Sequence, residues 1–212
     1  MGASIATQCG KMLGTRTYKM STVDEVSVNR FVNESERVLK GVDKVVLFLN
    51  TNSLASTIRD KDNQGVWHTH RKKRLTRPNR LRSYLHSYER IFRVLQGKKV
   101  YFICNTARCM VQTCACPDSA HFSLHDQLVL FRNIEEGIEE IGDRYGNLEG
   151  RISHTAFVNF MLRNLMSEEP INLRSDAKKV YERILLQDQV HPSSEAYFGL
   201  VSLVQFLTAH EG

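Results

Sequence analysis

The chain reads as a mixed α+β protein, with a helix and short-sheet domain in its first half followed by an all-helical bundle in its second. Three observations carry that reading. Short β-branched and aromatic runs, "KVVLFLN" at 44–50 and "KKVYFIC" at 98–104, alternate with amphipathic stretches in the first half, and runs of that length bounded by turn residues read as buried strands. After Cys116 the apolar residues recur only at helical spacing. The charge divides at nearly the same place: residues 1–110 carry 21 Lys and Arg against 8 Asp and Glu, and residues 111–212 carry 8 against 15, so a net +13 stands beside a net −7. A basic half joined to an acidic half points to a polyanion-binding part and a separate interaction part.

The expected organisation is a flexible arm at 1–22, a basic α+β domain at 23–116 and an acidic helical domain at 117–212. The arm is rich in Gly, Ser, Thr and Lys and shows no period. Over 23–40, Val26, Val28, Phe31, Val32, Val38 and Leu39 form a helical stripe, and Gly41 suits a left-handed stop. The strand at 44–50 follows. "SLASTIRD" and "GVWHTH" then flank Asp62-Asn63-Gln64-Gly65, which signals a hairpin of two further strands. A second helix at 80–96 is marked by Leu81, Tyr84, Leu85, Tyr88, Ile91, Phe92 and Leu95, and Gly97 ends it. "RCMVQTCAC" is expected to return across "NTA" as the hairpin partner of the strand at 98–104.

There is an internal echo. "RVLKGVDKVVLFLNT" from Arg37 and "RVLQGKKVYFICNT" from Arg93 share a helix end, a Gly and a strand ending in Asn-Thr, offset by 55 to 56 positions. Duplication explains it, and so do two independent units obeying one local grammar; the second is the simpler account of one short match. In the acidic half, Leu124, Leu128, Phe131, Ile134, Ile138 and Ile141 keep one helix face apolar. Phe157 to Leu165 and Val180 to Leu185 suggest two more helices. A last helix, after Pro192 and Ser193 and running to Leu207, is apolar nearly all round and is expected at the centre of the bundle.

No stretch approaches the roughly 20 apolar residues of a membrane span, and the first residues lack the apolar core of a secretory signal. A soluble, intracellular protein, cytoplasmic or nuclear, is expected. Gly2 stands where N-myristoylation needs a glycine, but that pattern wants Ser or Thr where Ala6 lies; Cys9 would be a second acylation point. Five Cys, four of them between 104 and 116, fit reduced thiols or a metal site better than a disulfide framework.

The most charged stretch is "RKKRLTRPNRLR" at 71–82, seven cations in twelve positions with no acid. Arg71, Lys72, Lys73, Arg74 and Arg77 precede the second helix. Arg80 and Arg82 stand in its first turn, where cations oppose the macrodipole at about 0.3 to 1 kcal/mol each, and an approaching phosphate reverses that sign. Arg90 and Arg93 extend the track along the face opposite the apolar stripe. Nucleic acid is the most economical partner for such a run. The order helix, three short strands, basic helix over 23–96 is similar in topology to a double-stranded RNA-binding domain, whose second helix sets cations against phosphates. The residues here do not follow that family's second-helix pattern, so no functional residue is carried over. Trp67, Tyr84, Tyr88 and Tyr101 are aromatic candidates for base stacking, with Tyr84 and Tyr88 on the apolar stripe and so read as core. Arg71 to Arg74 also reads as a nuclear-localisation patch.

A second constellation gathers Cys104, Cys109, Cys114, Cys116, His121 and His125. Cys109, Cys114, Cys116 and His121 supply the four ligands of a tetrahedral zinc site, without the usual C-x-x-C knuckles; buried free thiols are the commoner reading of such residues. Structural zinc is thus the one cofactor weighed. "YGNLEGRISHTAF" at 145–157 looks like a decayed EF-hand loop, with Gly150 and Ile152 at the motif's Gly and apolar positions. Tyr145 and Ala156 stand where calcium needs acids, so the resemblance implies a metal-free helix pair that docks a partner. No phosphate-cradling Gly loop, nucleophile elbow or His-Glu zinc helix is present.

These features point to a non-catalytic nucleic-acid-binding protein of regulatory or accessory type. RNA is favoured over DNA because no major-groove recognition helix is evident, and the helical half is expected to bind a protein partner or self-associate. The rival is an adaptor whose helical module docks a partner and whose basic run is an import address or a contact with anionic membrane.

Overall fold

A computed structural model describes residues 1–2, 4–49, 57–61, 67–71, 78–104, 124–153, 156–157 and 194–209. The elements are α1 (Ser4–Leu13), α2 (Glu25–Leu39), β1 (Lys44–Phe48), β2 (Thr57–Lys61), β3 (Trp67–Arg71), α3 (Pro78–Val94), β4 (Lys99–Ile103), α4 (Leu124–Tyr145), β5 (Leu148–Ile152) and α5 (Ser194–Ala209). The class is mixed α+β, as the sequence implies. Helices surround a three-stranded sheet in the order β1-β4-β5, and β2 and β3 form a separate two-stranded ribbon.

All pairs in the larger sheet are parallel. That arrangement follows from "KVVLF" and "KVYFI", which are apolar at consecutive positions rather than alternate ones, as strands covered on both faces must be. One face carries Val45, Leu47, Val100 and Phe102 into a core with Phe31 of α2, with Tyr88, Phe92 and Leu95 of α3, and with Ile134 and Ile138 of α4. The opposite face carries Phe48 and Ile103 against Ala6 and Cys9 of α1 and against Leu200 and Leu203 of α5. A bulge between Val100 and Tyr101 shifts the β4/β5 register. The extra residue lets Leu148 join the first core and Ile152 the second, although the two are four apart in sequence.

Several expectations are corrected here. Residues 1–22 are not an arm: they contain α1, Gly2 bridges Lys19, and the Met1 carbonyl accepts a hydrogen bond from Phe48 N at 3.0 Å along the outer edge of β1. Helix propensity in "SIATQCGKML" is weak, and burial of Ala6 and Cys9 holds it instead. Cys9 is 1% exposed, so the folded chain does not offer it for acylation. The topological likeness to a double-stranded RNA-binding domain fails, because β1 pairs in parallel with β4 instead of joining β2 and β3. A hairpin return beside β4 is also excluded, since β1 and β5 occupy both of its edges. Helices alone were expected after Cys116, yet the EF-hand-like stretch supplies β5. Its Gly150 leaves room for the Tyr101 ring and Leu207, which a Cβ there would meet at 3.4 and 3.0 Å. α5 packs on α1 and the sheet, with Ala196, Leu200, Leu203 and Val204 buried. The helices expected beyond Phe157 and around Val180 lie outside the described residues.

Each helix that feeds a parallel strand ends at a glycine of positive φ: Gly41 (68°), Gly97 (81°) and Gly146 (60°). A left-handed residue stops the helix without the roughly 1 to 2 kcal/mol that a Cβ would add there. At the third joint, the buried Asn147 side-chain amide donates to Phe92 O at 3.2 Å and Leu95 O at 3.1 Å, while the Asn147 main-chain carbonyl accepts from Val100 N at 2.8 Å. The Asn147 side chain thereby satisfies one carbonyl in the last turn of α3 and another just beyond it, while its main chain seats the start of β5 beside β4. Asn147→Ala is expected to lower unfolding stability by about 1 to 3 kcal/mol, the cost of stranding buried acceptors. Asn147→Asp, which sets an anion against the same carbonyls, should cost more. Urea denaturation of both variants is the check, and a loss under about 0.5 kcal/mol for Ala would remove Asn147 from this role.

Candidate nucleic-acid interface

The ribbon of β2 and β3 precedes α3 in the chain, with six residues between Arg71 and Pro78. Its antiparallel register pairs Thr57 with Arg71, Arg59 with Thr69 and Lys61 with Trp67. Directly paired residues share a face, and so does every second residue along a strand. Thr57, Arg59, Lys61, Trp67, Thr69 and Arg71 therefore occupy one face of the ribbon, and Ile58, Asp60, His68 and His70 the other. The first face holds three cations and an aromatic residue and no acid. Arg59 and Lys61 were missed in the sequence, where each looks like an isolated charge; the alternation in "TIRDK" was the available signal.

α3 begins at Pro78, whose fixed φ and missing N–H are harmless in a first turn, and no acid stands in that turn. Of the sequence candidates, Arg71 closes β3, Arg80 lies in the first turn of α3, and Arg82 is solvent-exposed one residue beyond that turn. Lys72, Lys73, Arg74 and Arg77 lie outside the described residues.

Arg90 and Arg93 stand apart from these. Arg90 Nη2 donates to Asn29 Oδ1 of α2 at 2.6 Å, and Arg93 Nε donates to the Tyr145 hydroxyl of α4 at 3.2 Å. That second bond raises the Arg93 pKa. Glu89, on the same helix, lies 2.6 Å from Arg144 Nη1 and 3.4 Å from His86 Nδ1. Burial pushes the Glu89 carboxyl up, but hydrogen bonds from Arg144 and His86, with their charges, more than offset it and hold the group below its usual range. The C-terminal half of α3 thus spends its polar face on neighbouring helices.

The aromatic candidates divide as well. Tyr84, Tyr88 and Tyr101 are 4%, 2% and 3% exposed. Tyr88 sits edge-on to Phe102 at 6.0 Å. All three are core residues, which leaves Trp67 as the aromatic on the ribbon. The zinc candidates Cys109, Cys114, Cys116 and His121 lie outside the described residues. Cys104, at the end of β4, is fully buried in the larger core. Among the described residues no cluster of three or more metal-ligating side chains occurs, and no helix is long and apolar enough to cross a membrane. Comparisons with protein-family models, with curated proteins and with solved structures find no match to this chain.

The Glu89 cluster makes a signed prediction. A carboxyl whose folded pKa lies below its unfolded value, about 4.3, stabilises fully above that value and loses the contribution as pH falls through the folded pKa. Arg144→Ala is therefore expected to cost up to about 1 kcal/mol at neutral pH, scaled for a pair that stays partly solvated, and progressively less as the pH is lowered below about 4. Parallel denaturation curves at neutral and acid pH read the difference. A wild-type/variant gap independent of pH would show that Arg144 acts through packing instead.

Proposed function

We propose that the protein is a non-catalytic nucleic-acid-binding protein, with RNA the favoured ligand, and that its contact surface runs from the β2/β3 ribbon through the N-terminal end of α3. The observation that carries this reading is the acid-free ribbon face of Arg59, Lys61, Trp67 and Arg71, continuous in sequence with Lys72, Lys73, Arg74 and Arg77 and then with Arg80 and Arg82. Phosphates are met by several cations at once, and an aromatic among cations is the arrangement on which unpaired bases stack. Single-stranded RNA is accordingly the preferred form. Arg90 and Arg93 act chiefly in holding α3 to α2 and α4.

The test is an electrophoretic-shift titration of the full chain with single-stranded RNA, double-stranded RNA and duplex DNA at two salt concentrations. Single-stranded RNA is expected to bind best, and affinity should fall steeply with salt. Changing Arg71, Lys72, Lys73 and Arg74 together to Ala should flatten the logarithmic salt slope by up to about 3, at about 0.7 per phosphate neutralised. Trp67→Ala should cost about 1 to 3 kcal/mol of single-strand affinity, whereas Arg90→Ala should alter stability more than binding. If the wild type binds none of the three at low salt, the proposal fails. The helical half as a docking module, with the basic run an import address, then remains.

A further inference from the structure

Between α1, the C-terminal end of α2, β1 and α5 lies a cavity of about 630 Å³. Close-packed interiors leave few voids larger than a water molecule, and this volume falls instead within the 300 to 1,000 Å³ typical of small-molecule sites, roughly. Ala6, Leu13, Phe31, Val46, Phe48 and Val204 are among its lining residues and make the interior largely apolar. The charged residues on its lining are Arg16, Arg37 and Lys44, with no acid among the lining residues described.

We infer that this cavity binds a single-chain amphiphile with an anionic head, of the fatty-acid class, with its chain between α1 and β1 and its head toward Arg16 and Arg37. Arg16 Nη1 is oriented by the Lys40 carbonyl at 3.1 Å, a partner that positions a guanidinium without cancelling its charge. Arg37 meets Glu34 at 3.2 Å in a pair whose arginine side chain is 78% exposed, and such solvated pairs are weak enough to exchange partners. A carboxylate accepts two parallel bonds from one guanidinium, which suits either arginine. Tyr18 also lines the cavity, but its buried hydroxyl offers no accessible surface to an occupant, so the tyrosine contributes only apolar wall. Cys9 also lines the cavity, and burial pushes its thiol up to about 12, so it stays neutral beside the chain. None of these residues belongs to the proposed nucleic-acid surface, and the two readings stand or fall separately.

The test uses the full chain and displacement of an environment-sensitive dye by laurate, by dodecanol and by butyrate. Laurate is expected to displace the dye and raise the melting temperature. Dodecanol, which lacks the charge, and butyrate, which lacks the chain, should each bind at least about tenfold more weakly, the scale set by one charge-assisted contact or by a few buried methylenes. Changing both exposed arginines, Arg16→Glu with Arg37→Glu, should weaken laurate by about tenfold or more. Circular dichroism establishes that each variant is folded. The inference is overturned if laurate fails to bind the folded wild type, if dodecanol or butyrate equals it, or if the charge-reversed variant binds it undiminished.

Discussion

Everything else in the structure is arranged around β4. Its strand neighbours occupy both edges, and helices cover both faces, so that Val100, Tyr101, Phe102 and Ile103 are each no more than 3% exposed. A strand in that position divides its side chains between two cores by alternation alone. Val100 and Phe102 face the core of α2, α3 and α4, while Ile103 faces that of α1 and α5. The placement also determines connectivity. Parallel neighbours cannot be joined by tight turns, so the chain from β1 to β4 passes through α3, and that from β4 to β5 through α4. Both crossover helices lie on one face and pack on each other, with Gly137 of α4 set close against Leu85.

The internal echo in the sequence acquires a physical meaning in this sheet. Lys44 pairs with Lys99 and Phe48 with Ile103, so the repeated segments lie side by side in register at the offset the sequence shows. A third joint, "RYGNLEGRI", shares little more than its glycine with the other two, yet it makes the same turn from helix to strand. The common factor is geometric. A helix that packs over a sheet and must feed a parallel strand needs an abrupt left-handed stop, and a glycine of positive φ supplies it at all three joints. This weighs against duplication, because the third joint follows the rule without the resemblance.

That rule also explains what could be read in advance. α2, β1, the ribbon, α3, β4, α4 and α5 fall close to where apolar period and turn residues place them, because each carries its own pattern. α1 and β5 do not. α1 is short, contains Ser, Thr and Gly, and is helical because Ala6 and Cys9 close one end of the smaller core. β5 carries Glu149, Gly150 and Arg151 in five residues, and it is a strand because β4 has an edge to fill. The site divides in the same way. Composition shows that cations concentrate at 71–82, since charge is additive along a chain. Which cations the fold uses for itself depends on tertiary partners: Asn29 beside Arg90, Tyr145 beside Arg93 and the register of the ribbon are invisible until the chain is folded.

The contrast between the two ends of α3 bears on why the cations are there. Arg93 stands in the last turn, where a positive charge is favoured by the helix dipole and gains a hydrogen bond to Tyr145. Its presence is accounted for by stability. At the other end, Arg80 lies in the first turn, where the dipole disfavours cations and where no acid offsets them. A first-turn cation costs about 0.3 to 1 kcal/mol. Asp24 at the start of α2 shows the opposite arrangement, accepting a hydrogen bond from Ser27 N at 2.8 Å. The charge at the start of α3 therefore opposes the dipole of its own helix, whereas the charge at the end complements it.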